Sequence, residues 1–281
     1  MKTYYTNIES NNRGFRLNLK ELWEYRDLVL LLTNKTFTLS YKQTVLGPAW
    51  IIISPMLSSL MYIVIFGIIA GISTNGIPQV LFYLCSTTFW TLFAASLTSN
   101  AYTFLNNAHI FGKVYFPRIA VPVSNVLVNL IKFAIQMIIV VGLIIFYTCK
   151  GEVDPVWYLW PLLPFILIHI SVMGMSFGVI VSSLTTKYRD LSILVSFIMQ
   201  LWMYGTPVVY PLSQLADGSL IKKIIMYNPM TAPMELFRYI MTGKGDVMPG
   251  YCAASVALTF VCTLVGIIVF NHVEKTFMDT V

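Results

Sequence analysis

Residues 43–112 read QTVLGPAWIIISPMLSSLMYIVIFGIIAGISTNGIPQVLFYLCSTTFWTLFAASLTSNAYTFLNNAHIFG, 70 residues between Lys42 and Lys113 without one Asp, Glu, Lys or Arg. A transmembrane helix needs roughly 20 mostly apolar residues to cross about 30 Å of hydrocarbon. This stretch holds two such segments, separated by Ser73-Thr74-Asn75-Gly76-Ile77-Pro78, whose Asn-Gly and Pro are turn signals. The rest of the chain has the same character. Of 281 residues, 57% are hydrophobic and only 11% are charged, against about 25% charged in soluble domains. So little charge cannot coat a soluble surface, and disorder needs the opposite composition. The chain reads as an all-α polytopic membrane protein.

Six transmembrane helices are predicted, at about 48–71, 79–104, 119–148, 157–184, 190–211 and 250–272. Lys150-Gly151-Glu152-Val153-Asp154-Pro155 supplies the turn between the third and fourth. An even number of spans leaves both ends on one side. Twelve of the 18 Lys and Arg residues fall on the side of the termini, five on the other, and Lys132 lies within a span. Positive charge accumulates on the cytoplasmic face, so both termini are expected to be cytoplasmic. The same bias accounts for the net charge of +6 without a nucleic-acid partner. The N-terminus, MKTYYTNIESNNRGFRLNLK, lacks the apolar core of a signal peptide, so the first span is expected to direct insertion.

Three regions are expected outside the spans proper. Residues 1–17 read as a flexible tail. Residues 18–42 carry Leu22, Tyr25, Val29, Leu32, Thr36 and Leu39 at helical spacing, with Asn18 and Glu21 as a capping box. That pattern predicts an amphipathic helix at the cytoplasmic interface, followed by the membrane domain at 43–281. Between 211 and 246, short apolar pieces alternate with Pro and Gly, consistent with short re-entrant helices or with an external loop.

Soluble-enzyme chemistry is sparse. Gly174-x-Ser176-x-Gly178 has the spacing of a hydrolase nucleophile elbow, but that motif needs a strand-to-helix turn. Inside an apolar run it reads as G-x-x-x-G, which lets two membrane helices approach closely. His169 lies two turns from Ser176, too far along one helix for a dyad. The cysteines and the three histidines show no metal-ligand spacing, and no catalytic or metal residue is assigned. No carboxylate falls inside the six spans, with Asp190 only at the edge of the fifth, which disfavours ion-coupled transport. Neither Gly112-Lys113 nor Gly243-Lys244 has the glycines and Ser/Thr of a P-loop. Any nucleotide hydrolysis must sit on another polypeptide, so no cofactor is expected in this chain.

The spans are rich in aromatic residues, whose ordinary role is packing, lipid contact or an interfacial belt. A subset is expected to line a conduit in which sugar rings stack on aromatic faces; the candidates are Tyr62, Phe66, Phe89, Trp90, Phe93, Tyr102, Trp202 and Tyr204. Lys132 is a further conduit candidate: it either faces a polar cavity, where it would meet an anionic substrate, or snorkels toward the nearer interface.

Six motifs in order resemble the membrane subunit of type-2 ABC exporters for lipid-linked polysaccharides, the family of O-antigen, capsule and teichoic-acid exporters. They are YKQTVLGPAW at 41–50, FGKVYFPRIAVPVSNVL at 111–127, KYRDLSILV at 187–195, TPVVYPLS at 206–213, NPMTAPMELFR at 228–238 and FNHVEKTF at 270–277. The resemblance implies a homodimer in the bacterial inner membrane, bound to two copies of a P-loop ATPase subunit that carries ATP and Mg. It implies that the 105–118 loop docks on the ATPase through His109, Phe111, Lys113, Tyr115 and Arg118. Lys187, Arg189 and Asp190 would form a smaller second contact. It further implies that the 211–246 segment gates the outer end, where Lys222, Lys223 and Arg238 are candidates for meeting a lipid pyrophosphate. The substrate would be a polyprenyl-pyrophosphate-linked glycan. Rival readings are a type-2 ABC permease for a drug or small lipid, a secondary flippase, and an intramembrane enzyme using Ser176.

Overall fold

The computed structural model describes residues 19–111, 116–185 and 190–280. The tail at 1–17 and the Asn18 end of the capping box lie outside the described residues. Helices dominate, and there is no strand among the described residues. They are α1 (Leu19–Glu24), α2 (Arg26–Tyr41), α3 (Trp50–Tyr62), α4 (Gln79–Ala101), α5 (Thr103–Phe111), α6 (Ala120–Cys149), α7 (Leu163–Thr185), α8 (Leu191–Tyr204), α9 (Leu220–Tyr227), α10 (Thr231–Thr242) and α11 (Pro249–Thr280).

Five segments are long and apolar enough to cross a membrane: Gly47–Ile69, Gln79–Ala101, Ala120–Cys149, Trp157–Thr185 and Pro249–Val273. They agree with five of the predicted spans to within a few residues. The remaining span, expected over 190–211, is shorter. Its helix α8 has 14 residues, about 21 Å at 1.5 Å per residue. Gly205 and Pro207 end it, and the apolar run that follows is a tight turn packed into the core, with Val208 and Val209 buried. The first span also departs from regularity. After Tyr62 it widens into a π-helix, Ile63–Ile69, in which the Ala70 N–H donates to the Ile65 carbonyl.

Helix α4 is the axis of the bundle. Sixteen of its 23 residues are buried, including Ser86, Thr87, Thr88, Ser96 and Asn100. By contrast, α3 buries Ile51, Pro55 and Ser59 and leaves Met56, Leu57, Leu60 and Met61 exposed to lipid or a partner. The small polar residues of α4 are what a central membrane helix needs, because in lipid helices associate by close packing and hydrogen bonds. Ser59 pairs with Thr87 at 3.2 Å, and Asn129 of α6 donates to the Ser99 hydroxyl at 3.2 Å. The expected G-x-x-x-G contact is formed by α7 against α4. A Cβ on Gly174 would lie 2.8 Å from the Phe93 carbonyl, and one on Gly178 would collide with the Leu97 carbonyl.

Two opposite ends are defined by which connections meet. At one, Val29, Phe104, Phe111, Phe116 and Phe270 form an apolar cluster that joins α2, α5, the start of α6 and the far part of α11. The α1–α2 stretch runs almost unbroken past Tyr25, which donates to the Glu21 carbonyl and accepts from Val29. Leu22, Tyr25 and Leu32 pack on this cluster as their spacing predicts, while Leu39 is exposed. At the other end the 72–78 turn, the 150–156 turn and the 205–246 segment meet. Asn75 donates to the Ser213 hydroxyl, and the Lys244 ammonium donates to the Gly76 carbonyl at 2.7 Å.

Candidate functional site

A cavity of about 330 Å3 opens between the end of α2 and the helices α3, α4 and α6. The α2–α3 corner makes it possible. Gln43 takes a left-handed backbone (φ +66°), which turns the chain so that Tyr41 and Trp50 border the same space. Lys132 projects into this cavity from α6, with its ammonium 5.4 Å from the centre of the Tyr41 ring. A lysine at membrane depth costs about 2.5–3.5 kcal/mol on insertion scales, so a retained one marks a polar or functional site. Gln136 lies one turn further on and is committed, its amide donating to the Ile51 carbonyl at 3.0 Å.

The conduit candidates divide. Tyr62 and Trp90 line the cavity with Lys132. Phe66 continues from Tyr62 (6.0 Å between ring centres) and meets Tyr204, which is exposed. Trp202 is half-buried and its indole donates to the Asn228 side chain at 3.0 Å. Tyr102 is half-buried at the bend between α4 and α5. Phe89 and Phe93 are a correction: both are fully buried. Phe89 stacks on Phe237 at 4.5 Å and Phe93 meets Trp202 edge-on at 5.1 Å, so neither ring has a face for a substrate.

At the end where the 205–246 segment sits, the two inner apolar pieces are helices, α9 and α10. Ten of the 12 residues of α10 are buried, which a plain external loop would not achieve. Gly243 ends it with φ +71°, where the Asp154 carbonyl approaches so closely that no Cβ fits. Arg238 is a second correction. It is 2% exposed and bonds Glu235 at 2.5 Å, the Ser86 hydroxyl at 3.0 Å and the Pro207 carbonyl, with the Phe82 ring 4.4 Å below. A guanidinium so enclosed ties α10 to α4 and to the turn after α8, and has no free face for a pyrophosphate. Lys222 is paired with Asp217 at 2.6 Å, and that hydrogen bond holds the Asp217 carboxyl below its ordinary pKa. Lys223 remains exposed on α9.

At the opposite end the proposed ATPase contact is only partly described. Lys113, Tyr115, Lys187 and Arg189 lie outside the described residues, as does the side chain of His109. Phe111 is 3% exposed, its ring packed between Phe104 (5.9 Å) and Phe116 (5.8 Å). Arg118 lies over the Phe111 ring at 5.6 Å, and Asp190 is exposed before α8.

Residues 27–242 match the family described as ABC-2 type transporter. The chain belongs to that family. It is similar to two O-antigen export system permease proteins RfbA from Klebsiella pneumoniae, each 28% identical over 254 residues, covering 90% of this chain and 94% of the relative. A third such permease, from Myxococcus xanthus, is 27% identical over 222 residues, 79% of this chain and 83% of the relative. The chain is thus a multi-pass membrane transport subunit of the ABC-2 type.

Within that ABC-2 subunit the Ser176 and His169 pair is not a dyad. The Ser176 hydroxyl donates to the Val172 carbonyl at 2.8 Å and meets Thr263 at 2.8 Å. His169 meets Thr259 at 3.0 Å and Ser255 at 3.4 Å. These are rungs of an α7–α11 polar seam, of the kind worth about 0.6 kcal/mol each in membranes. Ser176→Ala is therefore expected to lower thermal stability slightly and leave transport within about twofold. Loss of transport together with labelling of Ser176 by a fluorophosphonate probe would contradict the seam.

The sequence missed Glu235 altogether. The i, i+3 spacing of Glu235 and Arg238 on a helix was the available signal for an internal ion pair.

Proposed function

We propose that this chain is the transmembrane subunit of an ATP-driven exporter that moves a polyprenyl-pyrophosphate-linked polysaccharide, an O-antigen or related surface glycan, across the bacterial inner membrane. The observation that carries the reading is likeness along nearly the whole length of O-antigen export permeases. The chain has no P-loop of its own, so a separate P-loop ATPase subunit must bind ATP and Mg. Two permease chains and two ATPase subunits form the working unit.

In this reading the chain crosses the membrane six times. The short α8 serves as a crossing because the chain enters it beside α7's end and leaves it in the turn packed against Arg238. Both termini are cytoplasmic, α1–α2 lies along the inner interface, and α9–α10 dips into the outer leaflet as the external gate. ATP binding closes the ATPase pair, and the 105–118 and 185–190 segments pass the movement to the spans. The two subunits then part along their shared axis, and the glycan slides over Tyr62, Phe66, Trp90 and Tyr204.

Reversing the charge at the docking segment tests the coupling. Lys113→Glu with Arg118→Glu is expected to cut export at least tenfold while the chain still reaches the membrane, and to weaken co-purification of the ATPase. Export at the normal rate in that variant would rule out docking at 105–118. Co-purification of a P-loop ATPase whose hydrolysis rises with lipid-linked glycan supports the reading. Stimulation by hydrophobic drugs alone would replace the glycan with a small amphiphile.

A further inference from the structure

The Lys132 cavity has an unbalanced charge. Its lining carries one cation and no carboxylate. No ion pair among the described residues reaches Lys132. Donors are also left over. Thr87 and Thr91 are committed to helix carbonyls and Gln136 to Ile51. Ser54, Ser58 and the Trp50 indole line the same space and make no hydrogen bond among the described residues. One ammonium that shares a cavity with spare hydroxyl and indole donors suits an anion, since lysine binds phosphate as a point charge.

Depth and size decide which anion. Lys132 lies 12 residues into α6, about 18 Å along the helix axis from Ala120. An anion that resides at such a depth beside hydrocarbon is the head of an amphiphile, because a small free anion is not solvated there. At about 330 Å3 the space is at the small end for ligand pockets. At this size it accommodates a headgroup, and a stretch of polymer passes its Tyr62 and Trp90 edge only once the two subunits part.

We propose that this cavity holds the phosphate headgroup of a lipid, with Lys132 as its counter-ion and Ser54, Ser58 and Trp50 as donors. In favouring a prenyl diphosphate as the occupant, the proposal rests on the export function put forward above. The phosphate chemistry itself comes from the cavity. Bulk phosphatidylglycerol offers the same chemistry from a second source.

The test uses the full chain in maltoside micelles, with binding read by native mass spectrometry and by fluorescence of Trp50 and Trp90. Farnesyl diphosphate, farnesol, phosphatidylglycerol and inorganic pyrophosphate are the probes. Farnesyl diphosphate is expected to bind, Lys132→Gln to weaken it at least tenfold, and Lys132→Arg to stay within about threefold of the native chain. Phosphatidylglycerol binding as tightly, with the same Lys132 dependence, makes bulk lipid the occupant; a weak response assigns the site to the prenyl diphosphate. Equal affinity of Lys132→Gln and the native chain overturns the site. So does farnesol matching farnesyl diphosphate on the native chain, a comparison that stands even if the variant does not fold. Inorganic pyrophosphate matching the lipid would overturn the lipid headgroup. No arm measures export, so binding at Lys132 in a chain that moves no glycan would sink the proposed function and leave the cavity assignment standing.

Discussion

Replacing Arg238 with Met is expected to cost about 3–5 kcal/mol, the cost of breaking a buried ion pair on one side only. Glu235 is 2% exposed and would keep its charge with no partner but the Asp246 backbone N–H, at 3.3 Å. The Ser86 hydroxyl and the Pro207 carbonyl would lose their donor as well. Because Arg238 binds three elements at once, the loss spreads from α10 to α4 and to the turn that ends α8. Arg238→Lys is expected to recover only part of it, since one ammonium cannot reproduce the planar fork that meets carboxylate, hydroxyl and carbonyl together. The double variant Arg238→Met with Glu235→Gln is expected to regain much of the stability, because it removes the orphaned charge. Thermal unfolding of the purified variants in detergent reads all three. A single Arg238→Met variant as stable as the native chain would mean that the pair is not buried.

Gly178→Leu is expected to prevent the native packing of α7 on α4. Even a methyl group there runs into the Leu97 carbonyl, and that neighbour is backbone, which cannot rotate aside. Gly178→Ala should already cost about 1–3 kcal/mol, the usual range for overpacking. Leucine is expected to lower the yield of monodisperse protein by an order of magnitude. Gly142 on α6 is the matched control, because a Cβ there meets nothing within 4 Å. Gly142→Ala should be neutral or slightly stabilising, since alanine is the better helix former. If Gly178→Leu and Gly142→Ala both yielded native-like protein, the close α4–α7 contact would be refuted.

These two sites show how far the sequence could be read. The spans were legible because a run of apolar residues in lipid admits one solution, the helix. The 174–178 spacing likewise announced a close helix contact. The end of α8 was harder to see, because the run past Gly205 and Pro207 stays apolar while the backbone turns. The aromatic residues could not be sorted at all. A surface helix separates inside from outside by its 3.6-residue period, but α4 is buried on nearly all sides, so Phe89, Trp90 and Phe93 look alike. Only the neighbours distinguish them: Trp90 borders the cavity, while Phe89 and Phe93 touch other rings. Arg238 was misread although its ion-pair partner Glu235 stands three residues away; its other partners, Ser86 and Pro207, are distant in sequence. Lys132 stood out as the lone charge in a span, yet its surroundings depend on where the α2–α3 corner places Tyr41 and Trp50.

In the proposed function this chain provides the membrane path for a lipid-linked glycan driven by a partner's ATP hydrolysis. The most direct measurement is uptake of a radiolabelled polyprenyl-diphosphate-linked glycan into inverted inner-membrane vesicles that contain the chain and its co-purifying ATPase. Uptake is expected to require both subunits and ATP and to survive a protonophore. Uptake that persists without ATP and collapses with the protonophore, or no uptake when both subunits are present and hydrolysing ATP, would contradict it.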